Sequence, residues 1–187
     1  MSAGTEDRSA PRSGAAAPGS TGAPAASPAS AAAQGSAAAR SAGASGEVLY
    51  SEKHRIVGND YEHGGDVAAG IKTTLRQLGL DTEIIRRLSI ANFEAEMNVI
   101  MYADEGDLEL QVLPDAVRVV LSDRGQGIAD IDLAMQEGYS TATPEMRQRG
   151  FGAGLGLPNI RRHTDEFEIA STPGVGTTLR YTVRFAA

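Results

Sequence analysis

The alternation of apolar and polar positions changes character at about Gly46. From Glu47 to Val57, β-branched and aromatic residues predict a strand, and Asn59, Gly64 and Gly65 predict the turn that ends it. A helix is expected from about Asp66, acting as its cap, to Leu78, with Gly79 as its stop. Asp81 then caps a longer helix reaching about Ala103. Along it Ile84, Leu88, Ala91 and Ala95 keep one small or apolar stripe on one face. Beyond it Leu108, Leu110 and Val112 alternate with Glu109 and Gln111, Pro114 and Asp115 supply a turn, and Val117, Val119 and Leu121 resume the alternation. That pattern is a β-hairpin with one apolar face.

The second hairpin strand leaves through Asp123-Arg124-Gly125-Gln126-Gly127. A short helical segment from about Ile131 to Glu137 leads into a long irregular span, Gly138 to Gly156. Structureless spans of more than about 12 to 15 residues within a domain are usually lids or binding loops, so this one is read as a lid. A helix from about Leu157 to Asp165 follows, then strands near Phe167 to Ser171 and Thr178 to Phe185 around the turn Thr172 to Gly176. The order implies an α+β fold: a two-layer sandwich of a mixed, mainly antiparallel sheet with helices on one face.

Composition sets the domain plan. Residues 1–46 are almost wholly Ala, Ser, Gly and Pro with nothing bulky to bury, so they are expected to form a disordered tail, leaving residues 47–187 as one domain. Pro18, Pro24 and Pro28 interrupt the Ala runs where a signal peptide needs an apolar core, and no run is long enough to span a membrane. A cytoplasmic location without membrane contact is expected. Zero cysteines exclude disulfides and thiolate chemistry. Two acids and three arginines leave the tail at +1, so the remainder carries −8 of the total −7, which argues against a nucleic-acid partner.

Three clusters carry candidate chemistry, each with a plainer alternative. Glu94 and Asn98 lie one helical turn apart beside the buried stripe, and either point together into a cleft or form an ordinary surface pair. Glu96 falls about 160° round the helix from Glu94 and is assigned to solvent. Asp123 at a strand end either accepts a hydrogen bond from a ligand amine or belongs to a glycine turn. Gly150, Gly152, Gly154 and Gly156 stand at every second position before a helix whose free N–H groups suit an anion, with Arg147 and Arg149 just ahead. Two nucleotide motifs are excluded. Ile71 is inserted between Gly70 and Lys72 of a P-loop-like stretch, and Leu155 and Leu157 occupy the positions of a third Rossmann glycine. His54, His63 and His163 lack metal-ligand spacing and are assigned surface roles.

In order, Glu94-x-x-x-Asn98, Asp123-x-Gly125-x-Gly127, Gly152-x-Gly154-x-Gly156 and Gly174-x-Gly176-Thr177-Thr178 resemble the motif boxes of the GHKL (Bergerat-fold) ATPase superfamily. The stretches Glu94 to Asn98, Gly138 to Thr141, Gly152 to Leu157 and Asp165 to Phe167 are similar to those of anti-sigma regulatory, or stressosome-type, serine/threonine switch kinases. The resemblance spans Glu47 to Phe185. It implies ATP and Mg²⁺ as cofactors, with Asn98 on the metal and Glu94 orienting or deprotonating the attacking hydroxyl. It further implies that Asp123 receives the adenine amine, Gly125 and Gly127 shape the base pocket, and Thr178 supports that network. Gly152, Gly154 and Gly156 would free the lid, and amides near Leu157 would meet phosphate. The implied partner is a STAS-type antagonist, or a sigma factor or signalling protein, and a homodimer is compatible though no stripe calls for one. A binding module without phosphotransfer and a detached histidine-kinase ATPase domain are the alternatives. The chain departs from histidine kinases in having no helical hairpin with a phosphoacceptor His ahead of the domain.

Overall fold

Ten elements follow one another in the computed structural model, which describes residues 47–185: β1 (Tyr50–Val57), α1 (Asp66–Gln77), α2 (Thr82–Tyr102), β2 (Ala103–Val112), β3 (Ala116–Gly125), α3 (Ile131–Ala134), α4 (Pro144–Gln148), α5 (Gly156–Arg162), β4 (Glu166–Thr172) and β5 (Gly176–Arg184). The expectation for residues 1–46 lies outside the described residues. The strands form one sheet in the order β1-β2-β3-β5-β4, and every pairing is antiparallel, where the sequence allowed a mixed sheet. Successive β-strands joined by helices on a single face need no parallel crossover.

Alternation decides which side chains meet the helices. Leu108, Leu110, Val117, Val119, Leu121, Leu179, Tyr181 and Val183 point inward and are buried. Against them lies α2, whose stripe Ile84, Leu88, Ala91 and Ala95 is buried as its spacing predicts. One polar pair sits inside this layer: the buried Tyr181 hydroxyl donates to Asn92 Oδ1 at 2.7 Å, tying β5 to α2. The other sheet face is laced with exposed ion pairs such as Lys53 with Glu109 and Arg184 with Glu166.

Two sequence expectations about α1 and α2 are corrected. Asp66 is not the cap of α1; the N-cap position is Gly65, in the left-handed region at φ 99°, which has no side chain to cap with. The capping group is the carboxylate of Glu96, which is only 1% exposed and accepts from the amides of Gly65, Val67 and Ala68 at 3.0, 3.2 and 2.8 Å. Glu96 therefore does not face solvent. The helical-wheel arithmetic for it is right, but α1 covers the side of α2 opposite Glu94, so that side is interior as well. His54, expected at the surface, is half-buried beside Glu52, with Nε2 to Oε1 at 3.4 Å.

The span Gly138 to Gly156 contains α4, which the sequence reading left irregular. Thr143 caps it by accepting from the amide of Met146, and Pro144 occupies the first turn. The helix expected to Asp165 ends at Arg162, because Asp165 is drawn away. One of its oxygens accepts from Arg87 at 2.7 Å and the other from the Arg184 amide at 2.7 Å.

Candidate nucleotide-binding site

A cavity of about 730 Å³ lies between α2 and the sheet, within the range typical of cofactor sites. Met97, Met101, Leu121 and Leu179 give it an apolar floor. Three groups of residues close round it: Glu94 and Asn98 from α2, Asp123 and Thr177 from β3 and β5, and the segment from Tyr139 to Leu157. The three sequence clusters thus converge on one space, in place of an isolated surface pair and an isolated turn.

On the helix wall, Glu94 and Asn98 are half-buried and face the first turn of α5. A Cβ added to Gly156 would lie 3.1 Å from Asn98 Oδ1 and 3.5 Å from Glu94 Oε2, so the backbone of α5 sits close on this pair and a side chain there would crowd Asn98. Asn98 Nδ2 is buried and has no hydrogen-bond partner among the described residues. Such a group is costly unless it is satisfied in some other state of the protein. No side chain caps α5 among the described residues, which leaves the amides at Gly156 and Leu157 free at the cavity edge.

On the sheet wall, Asp123 is half-buried. Burial pushes its carboxyl above the ordinary value, and the Thr177 amide, donating to Oδ1 at 3.1 Å, offsets this in part. A carboxylate in an apolar pocket with one charge-stabilising bond is suited to a further donor. Thr178, the residue chosen from sequence, is on the opposite face of β5, where its hydroxyl meets Ser122 Oγ at 3.1 Å. Side chains alternate along a strand, so with Leu179 inside it is Thr177 that lines the cavity. Gly125 is also corrected. It sits under the junction where α2 runs directly into β2, and a Cβ there would lie 2.6 Å from Ala103 Cα. It makes room for that crossing and does not line the large cavity, whereas Gly127 does.

The segment over the cavity is folded on itself. Gly154, at φ 72°, lies so close to Gly138 and Tyr139 that a Cβ would be 2.5 Å from Gly138 C, and its carbonyl accepts the Gly138 amide at 3.0 Å. Gly152 packs in the same way on Ala142. These glycines permit close approach, so they shape the segment over the cavity. Phe151 stacks at 6.1 Å on Tyr61 from the turn after β1, and Arg149 lies 4.8 Å over the Tyr61 ring. Arg147 donates to the Ala142 carbonyl.

Sequence reasoning also missed Asn159, whose Nδ2 donates to Glu94 Oε1 at 2.7 Å. It stands one turn after Gly156, but only the packing of α5 on α2 reveals the contact.

An antiparallel α+β sandwich with one carboxylate in an apolar pocket on the sheet, an acid and amide pair on the helix and a glycine-rich segment beside them has the arrangement of a nucleotide-binding domain. The chain belongs to the histidine kinase-like ATPase domain family, whose profile matches residues 57–183. It is 30% identical over 113 residues to the serine/threonine-protein kinase RsbT of Bacillus subtilis, covering 58% of this chain and 79% of that protein. It is 33% identical over 111 residues to an anti-sigma F factor of Caldanaerobacter subterraneus subsp. tengcongensis, covering 57% and 74%. Among solved structures it resembles a chain of the SiaB-SiaC complex from Pseudomonas aeruginosa with a TM-score of 0.49 and 12% identity, over 73% of this chain and 89% of that one. Among the described residues no helix is long and apolar enough to cross a membrane.

Proposed function

We propose that this chain is a Mg-ATP-dependent serine/threonine protein kinase of the partner-switching type, acting in the cytoplasm on a STAS-like antagonist protein, with residues 47–187 as the kinase domain. The observation that carries the reading is the placement of Glu94 and Asn98 on the cavity wall against the uncapped start of α5. Phosphoryl transfer asks mainly for positioning and charge neutralisation; this arrangement supplies positioning, and a bound metal ion would supply the charge.

On this reading Asp123 would accept from the adenine amine, with Gly127 and Thr177 lining the same part of the cavity. The Gly156 and Leu157 amides at the start of α5 would meet the phosphates. The unpartnered Asn98 Nδ2 is left to donate to an acceptor such as a phosphate oxygen, and Oδ1 of the same side chain offers a hard oxygen donor. That donor fits Mg²⁺, which is ordinarily held by one or two protein oxygens with phosphate and water completing its shell. The ion neutralises phosphate charge when bound. No group of three or more His, Asp or Glu among the described residues holds an ion unaided, in keeping with a metal that arrives with its nucleotide.

In the transfer itself, the acceptor hydroxyl oxygen forms a bond to the γ-phosphorus as the bond to the bridging oxygen of ADP breaks. The hydroxyl proton passes to Glu94. Labelled-phosphate transfer to a STAS-domain antagonist tests the reading. Glu94→Ala is expected to slow transfer by about 10²- to 10⁴-fold, and Asn98→Ala to abolish Mg-dependent nucleotide binding. Transfer at the parent rate by both variants would refute these roles. ATP-dependent binding of the antagonist with no ADP formed would favour a module that sequesters its partner without phosphorylating it.

A further inference from the structure

The proposed base is held by a helix that belongs to the lid side of the cavity. Among the described residues the hydrogen bond to the Glu94 carboxylate comes from Asn159 Nδ2, at 2.7 Å to Oε1. Glu94 Oε2 accepts nothing from them and lies beside Gly156. Asn159 follows Gly156 by one turn, so the backbone contact and the side-chain contact come from the same face of α5.

A second observation fixes which end of the Asn159 amide faces Glu94. Arg162 Nη1 lies 3.5 Å from Asn159 Oδ1, at the long limit of a hydrogen bond, and Arg162 also pairs with the carboxylate of Glu137. A guanidinium only donates, so the amide oxygen belongs on its side and the amide NH₂ on the carboxylate's. A polar chain Glu137, Arg162, Asn159, Glu94 thus runs from the residue preceding the lid to the base.

Resting on the kinase reading, we propose that Asn159 is the positioning residue for Glu94. It binds Oε1 and presents Oε2 to the acceptor hydroxyl, so the base is aligned only while α5 is seated on α2. On the kinase reading the same helix start would meet the phosphates, so nucleotide binding and alignment of the base would draw on one element. An unheld carboxylate still rotates through orientations that miss the hydroxyl, and misplacement of about 1 Å is enough to cost up to about 100-fold in rate.

The experiment compares the full-length parent with Asn159→Ala, Asn159→Asp and Glu94→Gln. The first reading is independent of any acceptor: the side-chain amide resonance of Asn159 in ¹⁵N-labelled protein should move on Glu94→Gln, and an unmoved resonance overturns the contact. The second is phosphotransfer. Asn159→Ala should lose about 10- to 100-fold in kcat with KM for ATP within about twofold, and Asn159→Asp should shift the acid limb of the rate profile to higher pH, because a second carboxylate then faces Glu94. Should both variants keep the parent kcat and pH profile, or lose kcat and ATP affinity in proportion, the positioning role falls. Glu94→Gln separates the two ideas. If it transfers normally the kinase reading fails, and if it is inactive while the Asn159 variants are not, only the present inference does.

Discussion

In the proposed reading Asp123 serves binding at some expense to the stability of the fold. Its carboxyl is raised above the ordinary value by burial, so the folded chain holds a proton there more readily than the unfolded chain. Stability linked to this group is therefore fully present below the unfolded value of about 4 and declines as pH rises through the raised folded value. Asp123→Asn should then melt no lower than the parent at neutral pH without nucleotide, with the two curves converging in acid. The same change should weaken ATP binding by about tenfold, since a neutral acceptor is poorer than a charged one. Melting curves across pH with and without nucleotide check both halves. At this scale the sequence picked out Glu94, Asn98 and Asp123, which line one cavity. It failed where one face had to be chosen. Thr177 and Thr178 are chemically alike, and only the inward Leu179 decides between them.

Elements were legible where their signals are local. The Asp81 cap, the stripe of α2 and the alternation of β2 and β3 can each be read within one stretch of chain. The missed α4 has such a signal too, since Thr143-Pro144-Glu145 sets a cap and a first turn, but the neighbouring glycines drew the whole span into a loop reading. The cap of α1 was beyond reach, because it comes from Glu96 on another helix. That tie makes a prediction. Glu96→Ala leaves three amides at the start of α1 without their acceptor and should cost about 3 kcal/mol of stability, whereas Glu96→Gln, keeping one acceptor oxygen, should cost less. Urea unfolding measures both, and equal stability of parent and Glu96→Ala would show that water replaces the carboxylate.

At the scale of the whole molecule, the apolar alternation foretold a helix-covered sheet, yet the strand order β1-β2-β3-β5-β4 and the depth of the cleft arise only when distant segments meet. The cleft exists because α2 passes straight into β2, which brings Asp123 opposite the Glu94 and Asn98 turn, and because α5 returns the chain to α2 through Gly156. Every functional role assigned above depends on nucleotide entering that space. Calorimetric titration of Mg-ATP into the folded full-length chain, beside Asp123→Ala, is the most direct measurement. A saturable one-site heat for the parent that is lost or strongly weakened in Asp123→Ala is the expected result; no heat with well-folded parent protein, or identical isotherms for the two, would contradict it.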